Sequence, residues 1–127
     1  RRAIALMEQY SGEITGTTSD QGGNYNGVSL PHQMDCIDES TNSWQYLKAL
    51  ARRGFLHWHR VDLKLRRRTW FFFAHWAVII EERHTGQQYI VDSWYEDNGQ
   101  PPYIQKLENW LYDRAFSAQL NPEQDYL

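Results

Sequence analysis

Apolar and polar positions divide the chain into stretches of two different periods. At the start, Ala3, Ile4, Leu6 and Met7 recur at helical spacing and Gly12 follows as a stop signal, which predicts a short helix from Arg1 to about Tyr10. Residues 11–33 break that pattern. Gly, Ser, Thr, Asn and Asp predominate there, Gly22-Gly23 and Pro31 interrupt any regular element, and the stretch reads as a long wrapping loop. From Cys36 the helical period returns through Ile37, Trp44, Leu47, Leu50 and Ala51. Arg52 and Arg53 suit the negative end of the helix dipole and Gly54 can cap it, so Cys36 falls at a helix N-terminus.

Beyond Gly54 the period changes to two. Val61, Leu63 and Leu65 alternate with Arg60, Asp62 and Lys64, the pattern of a half-buried strand, and Arg66, Arg67 and Arg68 then read as a polar turn. Residues 69–83 and 88–93 are both strand-like, and the His84-Thr85-Gly86 turn signal between them predicts an antiparallel hairpin. Past Gly99 and Pro101-Pro102, the residues Leu107, Trp110 and Leu111 mark a last short helix, with a polar tail after it.

A chain of 127 residues has room for one domain and one core, so residues 1–127 are read as a single unit. Hydrophobic residues at 41% and charged residues at 23% are ordinary for a soluble globular protein, which makes a disordered or fibrous chain a poor reading. A net charge of −3 exerts no long-range pull on nucleic acid or anionic lipid, and neither partner is expected. The longest apolar run, residues 70–80, is too short for a membrane span, which takes about 18 residues or more. It reads as a core strand. The numbering opens on Arg1-Arg2 without an initiator methionine, so the chain is read as a processed or excised piece of something longer, and its compartment is not legible.

The single cysteine changes the picture most. It allows no internal disulfide and no multi-cysteine zinc site, which leaves Cys36 as a buried small hydrophobe or a reactive thiol. A thiol is a useful nucleophile only as thiolate, and the unsatisfied amides and partial positive charge of a helix N-terminus favour that form. His75 and Asp92 are polar residues in the apolar company of two core strands, where each needs a reason to be. If His75 pairs directly with Asp92 across the hairpin, their side chains share one side of the sheet and the carboxylate can hold the imidazole. That register needs a loop centred between Arg83 and His84. A two-residue Thr85-Gly86 turn would instead put Asp92 opposite Ile79.

Cysteine at a helix start, histidine on one strand and aspartate on the next, 39 and then 17 residues apart, is an order that resembles the transglutaminase-like superfamily. The likeness rests on Asp35-Cys36-Ile37-Asp38, on residues 75–80 from His75 and Trp76, and on residues 89–94, which close on Asp92-Ser93-Trp94. It spans about half the chain. The resemblance implies an α+β fold with a cysteine-protease or transglutaminase-like core, its nucleophile helix packed on a small antiparallel sheet. It also implies Cys36 as nucleophile, His75 as general base and Asp92 as the orienting carboxylate. The Asp-Cys-x-Asp pattern is similar to that of bacterial transglutaminase-like cysteine proteinases, some of which hold calcium with acids around the cysteine. Here Ile37 follows Cys36 where an acid would be needed, so no metal and no cofactor are expected.

The chemistry implied is attack of the Cys36 thiolate on an amide or ester carbonyl of a protein or peptide substrate, followed by resolution of the acyl-enzyme by water or an amine. The Cys36 amide is the natural first oxyanion donor, with the Gln33 side chain as the second. Trp76 and Trp94, beside the proposed base and orienter, are candidates for packing substrate, against the plainer reading of core residues. His57 and His59 could face one way on a strand and, with an acid, ligate a metal, although a satisfied edge histidine is the commoner case. Arg66–Arg68 beside the aromatic run superficially suggests nucleic acid but more often marks a solvated turn. Asp35 and Asp38 read as helix-capping residues. A different class stays open: a catalytically silent module that keeps the fold and holds a peptide or glycan in an aromatic cleft.

Overall fold

The computed structural model describes residues 1–23, 30–69 and 73–112. The polar tail, part of the long loop and Trp70, Phe71 and Phe72 of the apolar run lie outside the described residues. Helix α1 covers Arg2–Thr15 and so passes through Gly12, which was expected to end it. The stop is Gly16, in the left-handed region at φ 81°, where its amide closes onto the Gly12 carbonyl. Gly12 instead lies on the buried stripe of Ile4, Ala5 and Glu8, and a Cβ there would stand 2.7 Å from the Asn98 side chain. It is a glycine of close approach.

Helix α2 spans Cys36–Arg52, beginning where the sequence pattern places it. Asp35 accepts from the amides of Ile37 (2.8 Å) and Asp38 (3.0 Å), and Asp38 reaches back to the Asp35 amide, a complete capping box. Four strands follow, β1 (His59–Thr69), β2 (Phe73–Glu82), β3 (Gln88–Asp92) and β4 (Tyr103–Lys106), in one antiparallel sheet of order β1-β2-β3-β4. Helix α3, Leu107–Tyr112, leaves directly from β4. The architecture is α+β, with three helices and this sheet among the described residues.

Three sequence expectations change here. Arg66, Arg67 and Arg68 are not a turn but part of β1, paired with Trp76, His75 and Ala74. Thr69 belongs to β1 as well, so the apolar run 69–83 is not one strand. In β1 the alternation fails physically: Val61 pairs with Ile80 and Lys64 with Val78, so Asp62 and Leu63 together oppose one residue. This bulge turns Leu63 out to solvent, 58% exposed, where strict alternation would bury it. Strand β4 was not anticipated at all, because four residues are too few for a period to show.

The two sheet faces have separate cores. Val78, Ile80, Val91 and Ile104 face α1 and α2 through Ile4 and Leu47, while Ala77, Ile79 and Ile90 face α3 through Trp110. The loop after α1 docks on the turn that follows β3, with the Gly23 amide on the Trp94 carbonyl (2.7 Å) and the Gly22 amide on the Asp97 carboxylate (2.9 Å). A Cβ on Gly22 would meet the Tyr95 carbonyl oxygen at 2.4 Å, and backbone cannot rotate away as a side chain can. Gly22→Ala is therefore expected to cost about 1–3 kcal/mol of overpacking strain. A urea midpoint equal to that of the wild type would refute this docking.

Candidate functional site

The hairpin joining β2 to β3 sets the site. A four-residue loop, Arg83 to Gly86, closes through bonds between Glu82 and Gln87 and between Gly86 and Glu82, with Gly86 at φ 73°. The register is Val78 with Val91 and Ile79 with Ile90, which carries Asp92 to the position opposite Ala77. Neither sequence alternative is correct: Asp92 is directly opposite neither His75 nor Ile79, and the true register lies between them. Side-chain parity is nonetheless preserved, because a shift of two residues returns a strand to the same face. His75 and Asp92 are diagonal neighbours on the α3 face, and their long side chains bridge the diagonal, Nε2 to Oδ2 at 2.6 Å.

Cys36 arrives from the other side of the sheet. The β2–β3 ladder begins at the Val78–Val91 pair, and before it the edge of β2 is approached by the N-terminus of α2. There the Cys36 Sγ lies 3.7 Å from the carbonyl of Ala74, the residue before His75. The thiol is partly exposed. His75 and Asp92 are withdrawn, at 6% and 2% exposed. Burial pulls the His75 imidazolium down, but hydrogen bonds to Asp92 and to Cys36, with the charges of both, outweigh it and raise the group from 6.5 to about 9. The site therefore favours a protonated imidazole at neutral pH.

Aromatic rings enclose that imidazole. Trp94, Tyr95 and Trp110 have centroids 4.9, 5.0 and 5.9 Å from it. Trp94 is itself 6% exposed, so it walls the imidazole and offers little surface to a ligand. Trp76 points away from His75, as adjacent strand residues must, and has the Lys64 ammonium 5.7 Å from its ring. The Gln33 amide nitrogen donates to the carbonyls of Ser19 (3.0 Å) and His32 (3.4 Å), while its oxygen accepts from the Gln21 amide. These bonds tie the Gln33 side chain to the loop before α2. Because Asp35 takes up the Ile37 and Asp38 amides, the Cys36 amide is the first-turn donor that the capping box leaves over.

His57 precedes β1 and is exposed, so it does not share a strand face with His59, whose ring stands edge-on to Tyr89. Among the described residues no three His, Cys, Asp or Glu side chains are grouped to hold a metal ion, and no helix is long and apolar enough to cross a membrane.

Sequence reading missed what stands behind these groups. Ser43 and Ser93, both buried, share a hydrogen bond of 2.8 Å that ties the cysteine-bearing helix to the residue after Asp92. Beside it lie three buried acids: Glu8 of α1, Asp20 of the loop and Glu39 of α2. Burial pushes Glu8 up to about 7, against bonds from Ser93 and Gly99. Burial, then the charges of Glu8, Asp20 and Asp92 and a bond to Asp20, push Glu39 up to about 9. Asp20 is also raised by burial, held back first by the Met34 amide at 2.8 Å. One signal was available: Glu8 falls four residues after Ile4 and four before Gly12, on the buried stripe. Glu39 looked like an ordinary first-turn acid.

No family model matches this chain, and no curated protein and no solved structure matches it.

Proposed function

We propose that this protein is a cysteine-dependent hydrolase or acyltransferase of peptide and other amide bonds, working through Cys36, His75 and Asp92 on a transglutaminase-like core. The observation that carries the reading is the buried His75, bonded to Asp92 through Nε2 at 2.6 Å, with the Cys36 thiol at the start of α2 set against the carbonyl of the neighbouring Ala74. Such an imidazolium stabilises a thiolate and has its second donor satisfied away from water. The sulfur attacks the substrate carbonyl, and the Cys36 amide donates to the oxyanion that forms. His75 gives its proton to the leaving amine as the tetrahedral adduct collapses to a thioester. The neutral ring then takes a proton from water, whose oxygen attacks the thioester, releasing the acid and restoring the thiolate beside the imidazolium. Hydrolysis is preferred to transfer onto an amine because water needs no second binding site.

Alkylation of Cys36 by iodoacetamide near neutral pH tests the pair. Wild type is expected to label rapidly and His75→Ala about 10-fold or more slowly, since the variant loses the imidazolium partner of the thiolate. Equal rates would mean that no Cys–His pair operates. Turnover of an amide substrate library adds the chemistry, and a Cys36→Ser protein as competent as wild type would point to a binding module instead.

A further inference from the structure

A buried carboxylate next to a single histidine is under-supported. Asp92 is 2% exposed, and an ion so far from water needs more than one donor to be stable in place. The second donor is the indole of Trp110: its Nε1–H reaches Asp92 Oδ2 at 3.2 Å, the same oxygen that His75 Nε2 occupies at 2.6 Å. We propose that Trp110 is a positioning residue, holding the Asp92 carboxylate in the orientation that presents Oδ2 to His75. This rests on the Cys36–His75–Asp92 reading above and assigns α3 a part in it.

Packing alone does not call for tryptophan here. Trp110 is 1% exposed and shares its core with Ala77, Ile79, Ile90 and Leu107, all apolar. A phenylalanine or leucine would fill apolar volume without importing a donor that must then find an acceptor. The indole also lies 5.9 Å from the His75 ring, so one side chain both limits the swing of the imidazole and anchors its carboxylate. Two donors converging on one carboxylate oxygen constrain the plane of the group, whereas a single bond lets it pivot. Helix α3 follows β4 without a loop, and β4 pairs with β3 up to Tyr103 opposite Asp92, so the donor is carried by the strand beside its acceptor.

The test is a cycle of Trp110→Phe and Asp92→Asn, read by the rate of Cys36 alkylation near neutral pH. Phenylalanine keeps most of the ring and removes the donor. Trp110→Phe is expected to slow the wild-type protein about 10-fold, in the range that outer-shell partners of functional side chains supply. In the Asp92→Asn background it should change the rate less than about 2-fold, because it acts through a group already altered. Equal slowing in both backgrounds, or none in the wild type, overturns the proposal. Should Trp110→Phe not fold, the indole N–H resonance of the intact tryptophan decides: it should shift on Asp92→Asn, and an unmoved resonance overturns the proposal equally. His75→Ala serves as the separate control. If it labels as fast as wild type, the Cys–His reading fails, whatever the cycle gives.

Discussion

Asp92→Asn is expected to bring the His75 titration from about 9 to near or below the ordinary 6.5, and with it to slow Cys36 chemistry at pH 7 by on the order of 10²-fold. The reason lies in the balance at the imidazole. Burial is the largest single influence on His75 and acts against its charge; only the bonds and charges of Asp92 and Cys36 reverse it. Removing the Asp92 charge leaves burial opposed by Cys36 alone. A shift of that size is worth about 3 kcal/mol between the two protonation states. The sign for stability follows: a histidine raised in the folded state contributes stability that is complete below about 6.5 and is lost as pH rises through about 9. Asparagine should remove that component. Imidazole resonances followed against pH give the titration, and a His75 in the variant that still titrates near 9 would show that Asp92 does not set its charge.

Glu39→Gln is expected to stabilise the protein at alkaline pH while changing little at pH 5. A carboxyl whose folded value is raised binds its proton more tightly folded than unfolded. Its contribution is therefore complete below the unfolded value near 4.5 and lost as pH rises, through about 7 for Glu8 and about 9 for Glu39. Wild-type stability should fall across that window because Glu8, Asp20 and Glu39, with Asp92 close by, crowd negative charge into a site withdrawn from water. Glutamine keeps the volume and a donor but cannot ionise. The expected gain at pH 9 is on the order of 6 kcal/mol at most, given about 1.4 kcal/mol per pKa unit over the rise from 4.5 to about 9. His75 contributes a decline of the same sign, so the measurement is the difference between variant and wild-type urea midpoints at pH 5 and pH 9. A difference that does not grow with pH would sink the idea.

Both predictions turn on features that were unequally legible in the chain. The start of α2 at Cys36 could be read because a capping box is local: Asp35 and Asp38 meet their amides within one turn, whatever the rest of the fold does. The presence of His75 and Asp92 on apolar strands was equally plain, and their common face survived an error in register because strand side chains repeat every two residues. The register itself was not legible. A two-residue turn and a four-residue loop both suit the stretch around His84, Thr85 and Gly86, and the choice is made by how Ile79, Val78, Ile90 and Val91 pack on the two cores.

By itself the sequence determined the start of the helix that carries its own capping box, the polar residues set in apolar strands, and the lone cysteine at that helix start. Those are contacts within a few residues, whose energies do not depend on distant chain. Tertiary structure alone decided the bulge that exposes Leu63, the short β4, the pairing of Trp110 with Asp92 and the meeting of Glu8, Asp20 and Glu39. Each of these joins residues far apart in the chain. A tryptophan or a glutamate reads the same in sequence whether it fills a core, meets solvent or serves a neighbour, because that outcome depends on partners brought together only when the sheet closes against its helices.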